Sequence, residues 1–264
     1  MSRQGLLVML VILALVLGLA LPLAAQAAAV GRFLRVEGQV DLLKGGKLPA
    51  AAARLTDPVE PKDVIRTKSK SRAQILFVDD TILTLAPESR VAVADYFYDG
   101  AKGQRRALLQ VFRGLAHTVV KRVLKLQEPD FIMQTQTAII GVRGTEWYTL
   151  LLPNCTNVYN VQGLLEVSAN NRQLPSSLLE TLKYREVCRD QAPGPAKDLT
   201  PRMLAMLARM LVDGVTAIPP EISGPQGIPL GTDRLGLPEE LTSPYAPSLT
   251  PVHPQIQRTP GKSP

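Results

Sequence analysis

Apolar and polar positions alternate at a period of two along most of the chain between residues 30 and 187. That spacing puts successive side chains on opposite faces and predicts β-strands with one buried side. Phe33, Val36, Val40 and Leu42 alternate with charged or polar neighbours around Gly38, and Lys44-Gly45-Gly46-Lys47 reads as a hairpin turn. Further strands are predicted at residues 64–67, 73–78, 81–85, 91–98 and, as a pair, 107–120. Residues 174–187 are predicted to add a last strand pair. Asp79-Asp80 lies between two runs and reads as a turn, because Asp bonds its own backbone there and no further oxygen ligands stand at metal spacing.

Three segments repeat the pattern of an apolar residue, a glycine and another apolar residue: 36–40, 111–115 and 161–165. The unit is too short to name a known repeat. It suits strands that turn corners at glycine, so the fold class is all-β, either solenoid-like or a rolled β-sandwich.

The densest stretch, residues 131–148, places two β-like runs around Gly141-Val142-Arg143-Gly144-Thr145. A glycine in a strand marks a bulge, a corner or a close backbone approach. Arg143 between two such corners would offer donors to carbonyls the corner leaves unpaired. Thr145 could bond the turn, and Trp147 adds a large apolar surface with one N–H. The set reads as structural first, with Arg143→Ala costing a few kcal/mol if buried carbonyls depend on it. Its second reading is a binding set, Arg143, Thr145 and Trp147, facing an anionic ligand.

Those residues, with the runs at 79–81, 83–89, 111–114, 135–138 and 161–167, resemble the FecR-domain family, and Gly-Val-Arg-Gly-Thr is the most specific part. The resemblance covers about residues 36–187. It implies an exported β-rich module, named for a periplasmic iron-citrate sensor that relays a signal to a sigma factor. That sensor has a cytoplasmic segment before its membrane span. Here the apolar run begins almost at once, so the sigma-factor activity does not carry over.

The remaining features set compartment and boundaries. Arg3, the apolar run to Leu21 and Ala25-Gln26-Ala27 fit a secretory signal peptide over residues 1–27, with an uncleaved anchor as the alternative. The β domain is expected over 28–192, a linker and helix over 193–214, and a disordered Pro-rich tail over 215–264. Thr200, Pro201 and Gly214 frame that helix, whose Met-Leu stripe (Met203, Leu204, Met206, Leu207, Met210, Leu211) reads as a face docked on its own domain or, failing that, a partner groove. Half of the 22 prolines lie beyond Gly214, a composition that cannot build a core.

Cys155 and Cys188 are the only cysteines. In an oxidising compartment they favour one disulfide, with two free thiols as the alternative. His117 reads as a satisfied or half-exposed strand residue. No phosphate loop, zinc spacing or nucleophile elbow occurs, so no catalytic residue, metal or cofactor is expected. The net charge of +7 is interspersed with acids and lacks interleaved aromatics, which argues against nucleic acid. The chain therefore reads as a non-catalytic binding or signalling module, periplasmic or secreted, engaging an envelope protein or a wall or surface glycan. The alternative is a secreted structural scaffold.

Overall fold

The structure, a computed structural model, describes residues 28–122, 130–171 and 173–215. The expected leader and most of the Pro-rich tail lie outside the described residues. The rest is two nine-stranded sheets and one α-helix. In spatial order the first sheet is β4 (Pro58–Val59), β1 (Gly31–Glu37), β6 (Arg72–Phe77), β7 (Ile82–Leu85), β10 (Leu115–Val119), β13 (Glu146–Leu151), β14 (Cys155–Gln162), β17 (Lys183–Cys188) and β18 (Lys197–Asp198). The second is β3 (Ala51–Ala52), β2 (Val40–Leu43), β5 (Val64–Thr67), β8 (Arg90–Asp99), β9 (Gln104–Arg113), β11 (Phe131–Gln134), β12 (Ala138–Val142), β15 (Leu165–Ala169) and β16 (Ser177–Leu179). Apart from the short edge strands β3 and β4, both orders follow the chain. The polypeptide thus advances along the two sheets together, crossing between them as it goes. Neither sheet closes into a barrel.

Alternation becomes burial directly: every second residue is buried along β6 and along β9 as far as Val111. One core takes side chains from both sheets, among them Phe33, Ile75, Leu83 and Trp147 from the first and Ile65, Leu109, Phe131 and Ile140 from the second. An aromatic chain runs through it. Phe77 stacks on Tyr96 at 4.5 Å, Tyr96 meets Phe131 edge-on at 6.4 Å, and Phe131 meets Trp147 edge-on at 6.1 Å. Each such residue contributes about 1.5–3 kcal/mol by leaving water.

The three echoed segments are corners where the chain passes between sheets, at Gly38, Gly114 and Gly163, and Gly144 makes a fourth. All four have positive φ, from 71° to 97°. Corners meet in pairs across the fold. Gln39 N–H donates to Ser71 Oγ at 2.8 Å, and Leu115 N–H donates to Ser89 Oγ at 3.2 Å. A buried serine from one crossing thus satisfies the backbone just past a glycine in the next.

The hairpin reading at Lys44 holds: a 3-10 turn over Lys44–Gly46 leads from β2 to its antiparallel neighbour β3. Two expectations need correction. Gly141 is no corner; it sits in regular register between Ile132 and Glu166. The predicted last strand pair separates, β16 joining β15 and β17 joining β14. Period-two spacing identifies a strand but not its neighbour.

Helix α1 (Pro201–Asp213) has Thr200 as its cap, Thr200 Oγ1 accepting from Met203 N–H at 3.3 Å, and Pro201 opens it. It lies on the outer face of the first sheet. Met203, Leu207 and Met210 pack with Leu115, Tyr148, Leu150 and Tyr159 in a second core. The methionine stripe is therefore covered by its own domain. Cys155 and Cys188 are directly opposite on β14 and β17 and form a disulfide.

Candidate functional site

The candidate site is the corner between β12 and β13 with the ionic cluster beneath it. Arg143 is exposed at its tip, and no described carbonyl accepts a hydrogen bond from it. Among the described residues, Arg143 therefore does not tie the corner together as expected. Thr145 is buried, and its Oγ1 has no partner among the described residues, so it does not bond the turn. Its methyl instead packs on Gly163 at the next corner. Trp147 is fully buried, donating Nε1–H to Thr149 Oγ1 at 2.9 Å. Neither Thr145 nor Trp147 can meet a ligand from solvent in this fold. Of the three, only Arg143 is exposed. Arg143→Ala should change stability by no more than about 0.5 kcal/mol, as for surface changes generally; a thermal melt checks this.

The guanidinium that does tie backbone together is Arg105 on β9. Its Nε and Nη2 fork onto Asp130 at 2.9 and 2.7 Å, while Nη1 donates to Asp79 at 2.8 Å and to the Lys121 carbonyl at 3.0 Å. All three charged side chains are nearly inaccessible. Asp79 also accepts from Tyr96 Oη at 2.6 Å and from Thr81 N–H and Oγ1–H at 3.1 and 2.8 Å. Asp79 closes the turn as expected, but its larger role is this buried cluster. Burial disfavours the Arg105 charge, yet the bonds to Asp130 and Asp79 outweigh it and hold its pKa above the ordinary value. Burial, then the Asp79 carboxylate, pushes the Tyr96 phenol upward, so it stays a donor.

Arg105 holds Lys121 and Asp130 together, two positions nine apart in the chain. At the same place the backbone of Arg122 lies against Gly144, where a Cβ would fall 2.7 Å from Arg122 Cα. Gly144 and Arg105 thus brace one spot from two sides, next to exposed Arg143. Sequence reading missed Arg105 because Arg105-Arg106 in a polar stretch looks like a solvated loop. The one available signal was parity: Arg105 shares the inward register of Ala107, Leu109 and Val111.

His117 lies elsewhere, on the outer face of the first sheet. It stacks on Tyr148 at 4.3 Å, and its Nε2 is 3.0 Å from Glu146 Oε1. Burial lowers its pKa below the ordinary 6.5, against the opposing pull of Glu146. A group with a lowered folded pKa lets the unfolded chain bind more protons at low pH. Stability from this residue should therefore be complete above about pH 6.5 and be lost as pH falls below it. His117→Gln should flatten that part of a melting-temperature profile against pH.

Among the described residues Cys155, Glu186 and Cys188 are close enough to hold a metal, but the disulfide has used both sulfurs. No described helix is long and apolar enough to cross a membrane.

Residues 63–163 match the family described as FecR protein. The match starts at the residue before β5 and ends at the Gly163 corner. It takes in Asp79, Arg105, Asp130 and the Gly144 corner, while β1 to β4 and everything after Gly163 lie outside it. No curated protein matches the chain. Two crystal structures of a protein from Parabacteroides distasonis, described as a "putative anti-sigma factor", are similar at 16% identity and a TM-score of 0.43. Each similarity covers 54% of this chain and 62% of the other, so the chain spans about three fifths of those proteins.

Proposed function

We propose that this chain, whose residues 63–163 are a FecR domain, is a non-catalytic, signalling-related module of the bacterial cell envelope that engages an envelope protein or a surface glycan. The observation that carries the reading is the family match over the residues that build the braced corner. FecR proteins are regulatory rather than enzymatic and act in the envelope, which supports both halves of it. Arg143 is the residue proposed to face the partner, because it stands exposed beside a rigid base. Its fork of donors suits a carboxylate or a row of carbonyls.

We read the fold that presents it as solenoid-like, on the strength of two sheets whose strand orders both follow the chain. Residues 1–27 act in this reading as the export signal, which fits an envelope location.

Photo-crosslinking from position 143 in intact cells, followed by identification of the adduct, tests the proposal. A specific envelope protein or glycan recovered at 143, and lost when the crosslinker is moved to buried 147, supports it. Recovery of the protein from the cytosol overturns the envelope reading, and uniform release into the medium with no adduct favours the secreted scaffold instead.

A further inference from the structure

A recess of about 230 Å³ opens on the outer face of the first sheet where helix α1 stops short of covering it. Its floor is a row of four side chains directly abreast: Arg35, Gln74, Thr84 and His117, on β1, β6, β7 and β10. Arg72 forms one wall, and Leu211 with half-exposed Val212 from the last turn of α1 forms the other. This recess is separate from the braced corner and takes no part in it.

We infer that this recess binds one neutral sugar ring of an envelope glycan, with its hydroxyls on the polar floor and its C–H face on Leu211 and Val212. The charge at the recess is small for an anion site: Arg72 and Arg35 share one carboxylate, Glu37, Arg72 through two bonds and Arg35 at 3.2 Å, which leaves about one net positive charge. His117 is occupied by Glu146 through one nitrogen. The wall from α1 is a helix C-terminus, which carries partial negative charge and carbonyls without intrahelical donors. That end repels an anion and accepts from a hydroxyl.

The floor supplies the matching groups. Gln74 donates to Thr84 Oγ1 at 3.1 Å, which leaves the amide oxygen and one amide hydrogen of Gln74 free to pair with a hydroxyl. Arg35 and Arg72 keep the guanidinium hydrogens that Glu37 does not take. A sugar needs such alternating donors and acceptors beside an apolar surface. The volume lies under the ~300–1,000 Å³ of sites for drug-sized molecules, so the recess suits a single ring and not a chain.

The inference deepens the glycan branch of the proposed function and rests on it only for the source of the sugar. Isothermal titration of the purified protein with neutral tetrasaccharides of glucose, galactose and N-acetylglucosamine tests it, with acetate and citrate titrated in parallel. One of the three sugars should bind with a Kd on the order of 1 mM. Gln74→Leu with Thr84→Val should weaken it at least about tenfold at an unchanged melting temperature, since apolar residues suit a strand surface. Absence of binding by all three sugars at about 10 mM overturns the inference. So does sugar binding that survives the double change, or binding of acetate or citrate in place of sugar. An envelope protein crosslinked at 143 together with failed sugar titrations would sink this inference and leave the proposed function standing.

Discussion

Arg105→Met should destabilise the protein by about 3–5 kcal/mol, the range seen when one member of a buried ion cluster is removed. The change leaves Asp79 and Asp130 without their shared partner, in a place where neither has meaningful contact with water. The unstabilised charges, and not the lost contact itself, make the cost large. A urea melt should show a lower midpoint with an unchanged slope. Amide exchange supplies a local reading, because Ala107 N–H donates to the Asp130 carbonyl at 3.0 Å, and that hydrogen should exchange faster. Adding Asp79→Asn and Asp130→Asn should restore part of the loss, since no net charge then remains buried. A midpoint equal to that of the wild type would mean that water reaches the cluster.

Gly114→Ala should cost about 3 kcal/mol or more, through a strained backbone and a broken corner together. The residue has φ of 91°, and an added Cβ would fall 2.7 Å from Ser89 Cα and 2.2 Å from Ser89 Oγ. Relief would move Ser89, whose Oγ accepts from Leu115 N–H and donates to the Leu115 carbonyl, both at 3.2 Å. Gly45→Ala is the internal control. Its φ is also positive, at 57°, but nothing stands within 4 Å, so it should cost only about 1–2 kcal/mol from the left-handed backbone. Equal losses at the two positions would show that φ alone matters and that the serine contact does not.

The candidate site was legible in outline only. Gly144 was marked as a corner by its type and setting, and it is one. Arg143 was chosen as the buried guanidinium because it stood between two glycines. Gly141 proved to be an ordinary strand residue, so the bracket that suggested enclosure does not exist. Arg143 stands between Val142 and Gly144, and Arg105 between Gln104 and Arg106, so local composition favours burying the wrong one. Arg105 is buried only because residues 79 and 130 arrive from elsewhere in the chain. Cys155 and Cys188 could be named as the only candidates for a disulfide, but their facing positions depend on β14 pairing with β17.

Local physics settled what the chain could state alone. Period-two alternation fixed strands because it is a property of neighbouring residues, and glycine marked where corners are possible because the absence of a Cβ is local, although Gly141 shows that it does not select them. Thr200 and Pro201 fixed a helix start for the same reason. What the alternation could not carry was partner identity: it fits any neighbouring strand. The separation of β16 from β17, the cover that α1 gives the first sheet, and the joining of residues 79, 105 and 130 all rest on contacts between residues far apart in sequence. Only the packed structure decides those, because burial in a shared core selects among pairings that a strand by itself satisfies equally well.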